Sequence, residues 1–356
     1  MNQDTCSDIK QLIVDSGLIH SKEKTEKPFQ HFNFENETIL ITGAAGSIGS
    51  ELARHLLVCN YKKLILIDIA ESPLYNLIKE FENEDSNKID CILLNINETD
   101  SVEYLFKTNK PTIIFHAAAY KHVPLMENHP YEAVKTNILA TKLLADLAIK
   151  YEVKKFIFIS TDKAVNPINV MGISKHIAEN YIIELAEKSE TQFSITRFGN
   201  IIGSNGSVLP LFIKQIDSGL PLTITSKTIT RYFIDKHKAC NLILKIATFN
   251  KLDENVFTFN MGEPIKLIDL ANCLIELYAN KHTKTDIKIT SLRLGEKHEE
   301  DIISKNELLV ATSDKDILMV KRKNNKPYKK SDFSNLINIT PYQSSETIKN
   351  ILLSYI

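Results

Sequence analysis

Glycine is scarce in this sequence. The 356-residue chain has 11 glycines, about 3% of its residues, whereas proteins average roughly 7%. We expect such a chain to keep glycine where the backbone needs an unusual φ angle or must approach a ligand closely. Eight of the 11 lie in five short stretches, which are the first places to look for chemistry: Gly43, Gly46 and Gly49; Gly172; Gly199 and Gly203; Gly206; and Gly295.

Other absences exclude whole classes of protein. The 43 basic and 44 acidic residues give a net charge of −1. The sequence therefore has no excess of positive charge that would attract nucleic acid or an anionic membrane. No run of 18 apolar residues occurs, and the N-terminus MNQDTCSDIK lacks the apolar core of a signal peptide. The five cysteines are scattered without metal-ligand spacing, which predicts reduced thiols and no metal site. Together these absences predict a cytoplasmic protein without membrane insertion.

The hydrophobic pattern that is present predicts an α/β fold. From residue 38 the chain alternates all-apolar runs, such as TILITG, LILIDI and KFIFIST, with helical stretches. Strands that are apolar throughout are typical of a sheet covered on both faces. We therefore predict a Rossmann-type, doubly wound parallel sheet in residues 35–205. Residues 1–34 are predicted to form a helix and a tether, and residues 206–356 mainly a smaller substrate-binding lobe, with elements that return to the Rossmann domain.

The first glycine cluster predicts a dinucleotide site. TGAAGSIGSELA places Gly43, Gly46 and Gly49 between a strand and a helix, where glycines permit the tight turn, the approach of a pyrophosphate and close helix packing. The alternative is a simple strand–helix turn. Asp68 ends the second strand and can hold both adenosine ribose hydroxyls, which favours NAD over NADP. The other predicted cofactor contacts are Ser47, Ile48, Asn95, Ile96, Ala117, Ala118, Ala119, Asn137 and Lys175; the alanines could equally serve close helix–sheet packing.

Six motifs resemble those of a known family. They are TGAAGSIGSELA, HAAAYKHVPLMENHP, ISTDKAVNPINVMGISK, RFGNIIGSNGSVLPLF, ITRYFI and LGEKHEE, and they span residues from about 36 to 305. They are similar to the extended short-chain dehydrogenase/reductases, and among these to the UDP-N-acetylglucosamine 4,6-dehydratases of polysaccharide biosynthesis. Larger relatives carry membrane segments before this domain, which we expect this chain to lack. The resemblance implies a lyase that uses NAD, acts on a UDP-sugar and forms a homodimer or higher homo-oligomer.

The family resemblance assigns a pair of residues on one helix. In the wider family a tyrosine and a lysine four residues later act together. Lys175 matches the lysine, and one helical turn places it on the same face as position 171. Position 171 is Met171, whose thioether has no proton to exchange. A dead site is one interpretation, but the long-chain dehydratases that this sequence resembles also carry methionine here.

Ser160-Thr161-Asp162-Lys163 ends the fifth predicted strand and can support a dehydration. Oxidation at C4 of the sugar acidifies the C5 proton, and Thr161 can hydrogen-bond the C4 oxygen. A base then removes the C5 proton while an acid protonates the C6 hydroxyl. The resemblance implies Lys163 as the base and Asp162 as the acid, although these two roles could be exchanged, and Asp162 could instead cap the following element.

The predicted substrate contacts follow from the same resemblance. Asn200 matches the asparagine that binds the sugar-nucleotide diphosphate. Only five of the 43 basic residues are arginines, so Arg231 and Arg293 are predicted to clamp the pyrophosphate and uridine ribose, while Arg197 could be structural. The remaining predicted contacts are Lys121, His122, Leu209, Leu222, Thr223 and Glu296; His122 could equally be a buried structural histidine.

Three alternatives to the dehydratase stay open. A UDP-hexose 4-epimerase needs a base for the 4-hydroxyl but no acid and base for elimination, so Asp162 and Lys163 argue against it. A dehydratase that also inverts C5 has the same motifs. A silent NAD-binding scaffold is compatible with Met171, but not with the retained Thr161, Asp162, Lys163 and Lys175.

Overall fold

The structure is a computed structural model that describes residues 3–19, 28–85, 87–250, 253–278, 285–323 and 332–356. Part of the predicted N-terminal tether, residues 20–27, lies outside the described residues. Its strands are β1 (Asn33–Thr42), β2 (Asn60–Asp68), β3 (Ile89–Leu93), β4 (Ile113–His116), β5 (Lys155–Ile159), β6 (Gln192–Arg197), β7 (Asn200–Ile201), β8 (Leu222–Ile224), β9 (Thr230–Arg231), β10 (Phe233–Ile234), β11 (Val256–Phe259), β12 (Ile265–Lys266), β13 (Ile287–Ile289), β14 (Glu307–Ala311) and β15 (Ile317–Arg322).

The helices alternate with these strands through the first half of the chain. They are α1 (Gln3–Asp15), α2 (Ser47–Leu57), α3 (Glu71–Glu80), α4 (Thr99–Asn109), α5 (Val123–Asn128), α6 (Pro130–Ala133), α7 (Ala140–Lys150), α8 (Val170–Ala186), α9 (Val208–Asp217), α10 (Lys236–Thr248), α11 (Leu267–Tyr278), α12 (Ser334–Ile337) and α13 (Ser345–Leu353). A π-helical stretch at Val134–Leu139 leads into α7, and a 3₁₀ turn at Asp162–Ala164 follows β5. No helix in the described part of the chain combines the length and the apolarity that crossing a membrane requires.

The central sheet confirms the predicted fold class. Its nine strands run in the order β14-β15-β11-β6-β5-β4-β1-β2-β3. All pairs from β3 to β11 are parallel, and β15 is antiparallel to both β11 and β14. The order of β1 to β6 is that of a doubly wound dinucleotide-binding sheet, in which ligands lie at the carboxyl ends of the strands.

Apolar residues on both faces of the sheet explain why its strands read as continuous hydrophobic runs. Ile39 and Ile41 of β1 pack into the core on one face, and Leu40 packs into the core on the other. Each of the three side chains is fully buried. Alternate residues of a strand point to opposite faces, so a strand between two helical layers has no polar side.

The second lobe has its own core, to which the N-terminal helix contributes. Ile9 and Ile13 of α1 pack with Leu270 and Leu274 of α11 in this core. The sequence separates these two helices by more than 250 residues, yet one face of α1 is apolar at helical spacing and needs a partner. β11, β14 and β15 return to the central sheet, as the predicted arrangement of residues 206–356 allows.

Candidate active site

The first glycine loop has a backbone that only glycine can form. Gly43 has a φ of +67°, and a Cβ there would lie 2.7 Å from Cα of Ala118. A Cβ at Gly49 would lie 2.1 Å from the carbonyl oxygen of Gly43. Helix α2 begins at Ser47, directly after the loop, so its free N–H groups face the space above β1, where they favour an anion. The loop therefore fits the pyrophosphate of a dinucleotide.

Asp68, at the end of β2, holds this loop in place. Its Oδ2 accepts a hydrogen bond from the backbone N–H of Ala45 at 2.9 Å, and its Oδ1 accepts one from Ala70 at 2.9 Å. Each carboxylate oxygen keeps a second lone pair. Asp68 can therefore fix the loop and still accept hydrogen bonds from the two hydroxyls of a ribose.

Two connected cavities follow the carboxyl ends of the strands, each with a volume of about 290 Å³. The cavity beside Asp68 is lined by these predicted cofactor residues: Gly43, Gly46, Asp68, Asn95, Ile96, Ala117, Ala118 and Ala119. The neighbouring cavity is lined by Ser47, Ile48, Ala117, Ala119, Thr161, Met171 and Lys175, which were also predicted. Both cavities lie at the carboxyl ends of the strands, which is where dinucleotides bind in doubly wound sheets.

Asn137 lies behind this cleft and does not line it. Its Oδ1 accepts from the backbone N–H of Tyr120 at 2.8 Å, and its Nδ2 donates to the carbonyl of Tyr120 and to Oγ of Ser174, each at 2.9 Å. Because these bonds use both amide hydrogens of this fully buried side chain, Asn137 anchors the segment after β4 to helix α8.

Helix α8 carries Met171 and Lys175, and polar side chains fix its first turn. Oδ1 of Asn169 caps the N–H of Gly172 at 2.7 Å, and Oε1 of Glu127 accepts from the N–H of Val170 at 2.7 Å. Such caps satisfy the free N–H groups at a helix start. Met171 and Lys175 are buried on one side of the helix and line the same cavity.

The environment of Lys175 is apolar. Its Nζ lies 3.7 Å from the centre of the Phe158 ring, a cation–π contact. Burial lowers the pKa of Lys175 to about 7, because the charged form loses its hydration. The group therefore changes charge near neutral pH, which ordinary lysines do not.

Thr161, Asp162 and Lys163 form one hydrogen-bonded cluster. Oγ1 of Thr161 donates to Oδ1 of Asp162 at 3.0 Å, and Nζ of Lys163 donates to the same oxygen at 3.0 Å. Nζ of Lys163 also donates to Oδ1 of Asn200 at 3.0 Å. Asp162 is buried, so its two hydrogen bonds lie in a partly desolvated environment, where such bonds are stronger than in water.

Glu300 is a member of this cluster that sequence reasoning did not single out. Its Oε1 lies 3.7 Å from Nζ of Lys163, and the side chain is buried in the wall of the cleft. It belongs to the motif LGEKHEE, but nothing in the spacing of that motif shows that its last glutamate reaches the end of β5, more than 130 residues earlier in the chain.

Arg197 is buried next to the site and stabilises the helix and strands around it. Its NH2 lies 2.7 Å from Oε2 of Glu179, and its NH1 lies 2.8 Å from Oε1 of Glu307. Glu179 also accepts a hydrogen bond from Oγ of Ser160. Arg197 therefore ties β6 to α8 and β14, the structural role that the sequence left open.

The third cavity, of about 210 Å³, lies between the central sheet and the second lobe. It is lined by these predicted substrate residues: Lys121, His122, Asn200, Thr223, Arg231, Arg293 and Glu296. It shares Lys163 and Asn200 with the neighbouring cavity, so the cleft is continuous.

Leu209 and Leu222 are fully buried in the core of the second lobe and do not line this cavity. Helix α9 turns Leu209 and Phe212 inward, and Leu211 forms the cavity wall instead. The backbone N–H of Leu222 donates to the carbonyl of Asp286 in the strand pair β8–β13. This hydrogen bond occupies the backbone N–H of Leu222, one of the predicted substrate contacts.

Arg231 lines this cavity, and its guanidinium also donates hydrogen bonds to backbone carbonyls. Its NH1 donates to the carbonyls of Thr230 and His298 at 2.6 and 3.1 Å, and its NH2 donates to the carbonyl of Lys297 at 2.8 Å. Its NH2 also lies 3.5 Å from Oε1 of Glu296. Arg231 therefore fixes the segment that carries Glu296 and Glu300 against β9.

Outside the cleft, one group of described residues has the composition of a metal site. Glu51, His55 and His237 bring their donor atoms within 4.8 Å of one another. The other oxygen of Glu51 pairs with Lys236 at 3.1 Å and with Arg54 at 3.3 Å. These two cations already compensate the carboxylate and oppose a further positive charge.

Comparison with known proteins fits this geometry. The family model described as polysaccharide biosynthesis protein matches residues 39–322. The chain belongs to this family. Its fold and motifs are those of an extended short-chain dehydrogenase/reductase of the nucleotide-sugar dehydratase and epimerase type.

Two curated relatives illustrate the different enzymes and biosynthesis proteins to which this chain is similar. The capsular polysaccharide biosynthesis protein CapD of Staphylococcus aureus is 44% identical over 276 residues, which are 77% of this chain and 46% of that protein. This chain thus spans about half the length of that relative. The UDP-glucose 4-epimerase of Rickettsia massiliae is 33% identical over 287 residues, 78% of this chain and 81% of that enzyme.

Two solved structures share the fold. Pen from Bacillus thuringiensis has a TM-score of 0.75 and 30% identity, and the match covers 90% of this chain and 98% of Pen. DesIV from Streptomyces venezuelae, a dTDP-glucose 4,6-dehydratase solved with NAD bound, has a TM-score of 0.64 and 19% identity, over 74% of this chain and 87% of DesIV. At that identity the second likeness shows the fold alone.

Proposed function

We propose that this protein is an NAD-dependent 4,6-dehydratase that converts UDP-N-acetylglucosamine to a UDP-4-keto-6-deoxy sugar. The observation that carries the proposal is the Asp162–Lys163 pair at the end of β5, where the dinucleotide cleft meets the third cavity. Elimination of water needs an acid and a base beside one substrate carbon pair. The choice of UDP-N-acetylglucosamine rests on the resemblance of the six motifs.

NAD fits the first two cavities. The glycine loop would hold the pyrophosphate, Asp68 the adenosine ribose, and Lys175 the nicotinamide ribose. When bound, NAD would supply the hydride acceptor for C4 of the sugar and the hydride donor for C6. A carboxylate at Asp68 repels a 2′-phosphate, which favours NAD over NADP.

The hydrogen bonds of Thr161 give the 4-hydroxyl proton a path that needs no tyrosine. Oγ1 of Thr161 donates its hydrogen to Asp162 and accepts a long hydrogen bond from the backbone N–H of Lys163 at 3.4 Å. Its second lone pair can therefore accept a proton from the sugar. As the C4–H bond breaks, Thr161 takes the hydroxyl proton and passes its own to Asp162. This transfer makes Asp162 a carboxylic acid at the moment when an acid is next needed.

Lys163 and Asp162 then complete the elimination. The amine of Lys163 takes the proton from C5, which the C4 ketone has acidified. Asp162 gives its proton to the C6 hydroxyl, the C6–O bond breaks, and water leaves. The hydride that left C4 returns to C6, and Lys163 gives a proton back to C5. Asp162 ends as the carboxylate and Lys163 as the amine, so protons and electrons balance.

The leading alternative is a UDP-hexose 4-epimerase, since the Rickettsia relative carries that name. An epimerase has no step for which a buried acid–base pair is required, and it needs a base at position 171, where this chain has methionine. The buried Asp162–Lys163 contact favours dehydration.

Mass spectrometry of the product separates these functions. We expect the purified protein with NAD and UDP-N-acetylglucosamine to form a sugar nucleotide lighter by one water. An unchanged mass with inverted C4 would show epimerisation, and no turnover would favour a silent scaffold. NMR of the product reports the configuration at C5 and so separates a retaining from a C5-inverting dehydratase.

The pKa of Lys175 predicts how NAD binding depends on pH. Ribose hydroxyls bind the ammonium form better, because it offers one more donor and a full charge. Since the pKa of Lys175 is about 7, NAD affinity should fall as pH rises above 7, by up to about tenfold per pH unit. Calorimetric titration between pH 6 and 9 measures this.

Two variants test that assignment. Lys175→Met should bind NAD weakly with little pH dependence. Lys150→Met, which removes an exposed lysine of α7, should behave like the wild type. A wild-type affinity that does not change across this pH range would contradict the assignment of Lys175 to the ribose.

A further inference from the structure

Two buried carboxylates share the ammonium of Lys163. Oδ1 of Asp162 lies 3.0 Å from its Nζ, and Oε1 of Glu300 lies 3.7 Å from it. The side chains of Asp162 and Glu300 are 0% and 3% exposed. Among the residues that the structure describes, neither Oδ2 of Asp162 nor Oε2 of Glu300 has a hydrogen-bond partner. With all three groups charged, the cluster buries a net negative charge and two unsatisfied oxygens, which is costly.

The groups that face Glu300 only partly compensate this charge. Lys163, Arg231 and Lys297 are its cationic neighbours, and Asp162 is its anionic neighbour. The guanidinium of Arg231 is engaged by three backbone carbonyls, and Lys297 donates to the carbonyl of Val165. Burial is the largest influence and raises the pKa of Glu300, so this carboxylate accepts a proton more readily than an exposed glutamate.

The proposed function leaves one requirement unmet. An ammonium cannot remove the C5 proton, and the contact of Lys163 with Asp162 stabilises the ammonium form. Lys163 must lose a proton before elimination. Asp162 must at the same time keep the proton that it later gives to the C6 hydroxyl. Glu300 is a second carboxylate within ion-pair distance of Lys163, at 3.7 Å, and it lies on a different segment from Asp162.

We propose that Glu300 accepts a proton from the ammonium of Lys163 and thereby frees the amine that removes the C5 proton. An N–H bond of Lys163 breaks, an O–H bond of Glu300 forms, and no oxidant or reductant takes part. Glu300 acts through Lys163 and needs no contact with the sugar. The inference rests on the proposed function and deepens it, since it explains how a lysine paired with a carboxylate serves as a base.

This transfer predicts the shape of the pH profile. The transfer keeps one proton within the Lys163–Glu300 pair, so the share of such pairs that carry the proton on Glu300 does not depend on pH. The wild-type kcat should therefore be flat across neutral pH. In Glu300→Gln this acceptor is missing, and Asp162 has to receive the 4-hydroxyl proton instead. The ammonium must then lose its proton to the solvent, so kcat should rise with pH, by up to about tenfold per pH unit.

Three variants make the test. At pH 7, Glu300→Gln should lower kcat by about tenfold or more and show the rising profile, with little change in KM. Glu300→Asp keeps an acceptor and should restore a flat profile at a reduced rate. Glu299→Gln, a change at the exposed neighbour, should match the wild type. A lower rate with a flat profile in Glu300→Gln, or a rate within twofold of the wild type, would overturn the proposal.

A titration without substrate separates this inference from the proposed function. In protein labelled with ¹³C at the glutamate carboxyls, the resonance that Glu300→Gln removes should titrate above the ordinary pH range of a glutamate. If that resonance titrates in the ordinary range, Glu300 is no acceptor for Lys163, whatever reaction the enzyme performs. If it titrates high while the wild type releases no water from UDP-N-acetylglucosamine, the proposed function fails and the proton-sharing pair stands.

Discussion

Lys163→Met is expected to lower the rate of dehydration by about 10²- to 10⁴-fold, the usual effect of removing a general base. The variant keeps Thr161 and Asp162, so the first hydride transfer should still occur. Enzyme-bound NADH should then accumulate on mixing with UDP-N-acetylglucosamine, and its absorbance can be followed in a stopped-flow instrument.

Asp162→Asn should give a different result, because in the proposed mechanism the Asp162 carboxylate, which accepts from Oγ1 of Thr161 at 3.0 Å, receives the 4-hydroxyl proton. This variant should neither dehydrate the sugar nor accumulate NADH. Lys154→Met, at an exposed lysine just before β5, serves as the matched control and should retain full activity. Wild-type turnover by either Lys163→Met or Asp162→Asn would contradict the assignment of acid and base.

Arg197→Met is expected to destabilise the protein by about 3–5 kcal/mol, the usual cost of breaking a buried ion pair on one side. The variant would leave Glu179 and Glu307 buried without their shared guanidinium, which now contacts them at 2.7 and 2.8 Å. Urea unfolding followed by circular dichroism measures the loss.

A matched arginine provides the control for this prediction. Arg54 pairs with Glu80 and Glu51, but its side chain is 29% exposed. Arg54→Met should therefore cost about 0–1 kcal/mol. A loss of less than about 1 kcal/mol in Arg197→Met would show that water or a changed protonation of the two glutamates compensates the missing charge.

The parts of the fold that follow from local rules could be predicted from the sequence. The all-apolar strands predicted a covered parallel sheet, and the pairs from β3 to β11 are all parallel. The glycine positions predicted a tight loop, and Gly43 has the positive φ that such a loop requires. These features depend on neighbours within about 30 residues, so their signals are contained in short windows.

The parts that depend on distant packing could not be predicted. Leu209 was expected in the substrate cavity, but an apolar helix face does not show which leucine turns toward the core and which toward a ligand. Asn137 was expected at the cofactor, but its partners at Tyr120 and Ser174 belong to other segments. Glu300 reaches Lys163 only because Arg231 holds its segment against β9.

The same limit applies to the N-terminal helix. Its polar composition indicated a helix and a tether, with no sign of its position. In the structure Ile9 and Ile13 complete the core of the second lobe beside α11. The apolar face of α1 shows that this helix needs a partner, but it does not identify a partner more than 250 residues away.

The central claim is that one hydride moves from C4 to C6 of the same sugar while water leaves. The most direct test uses UDP-N-acetylglucosamine carrying deuterium at C4, with mass and NMR analysis of the product. We expect a product that has lost one water, carries the deuterium in its C6 methyl group and forms without net reduction of NAD. A product of unchanged mass that keeps the deuterium at C4 would contradict the account and identify an epimerase.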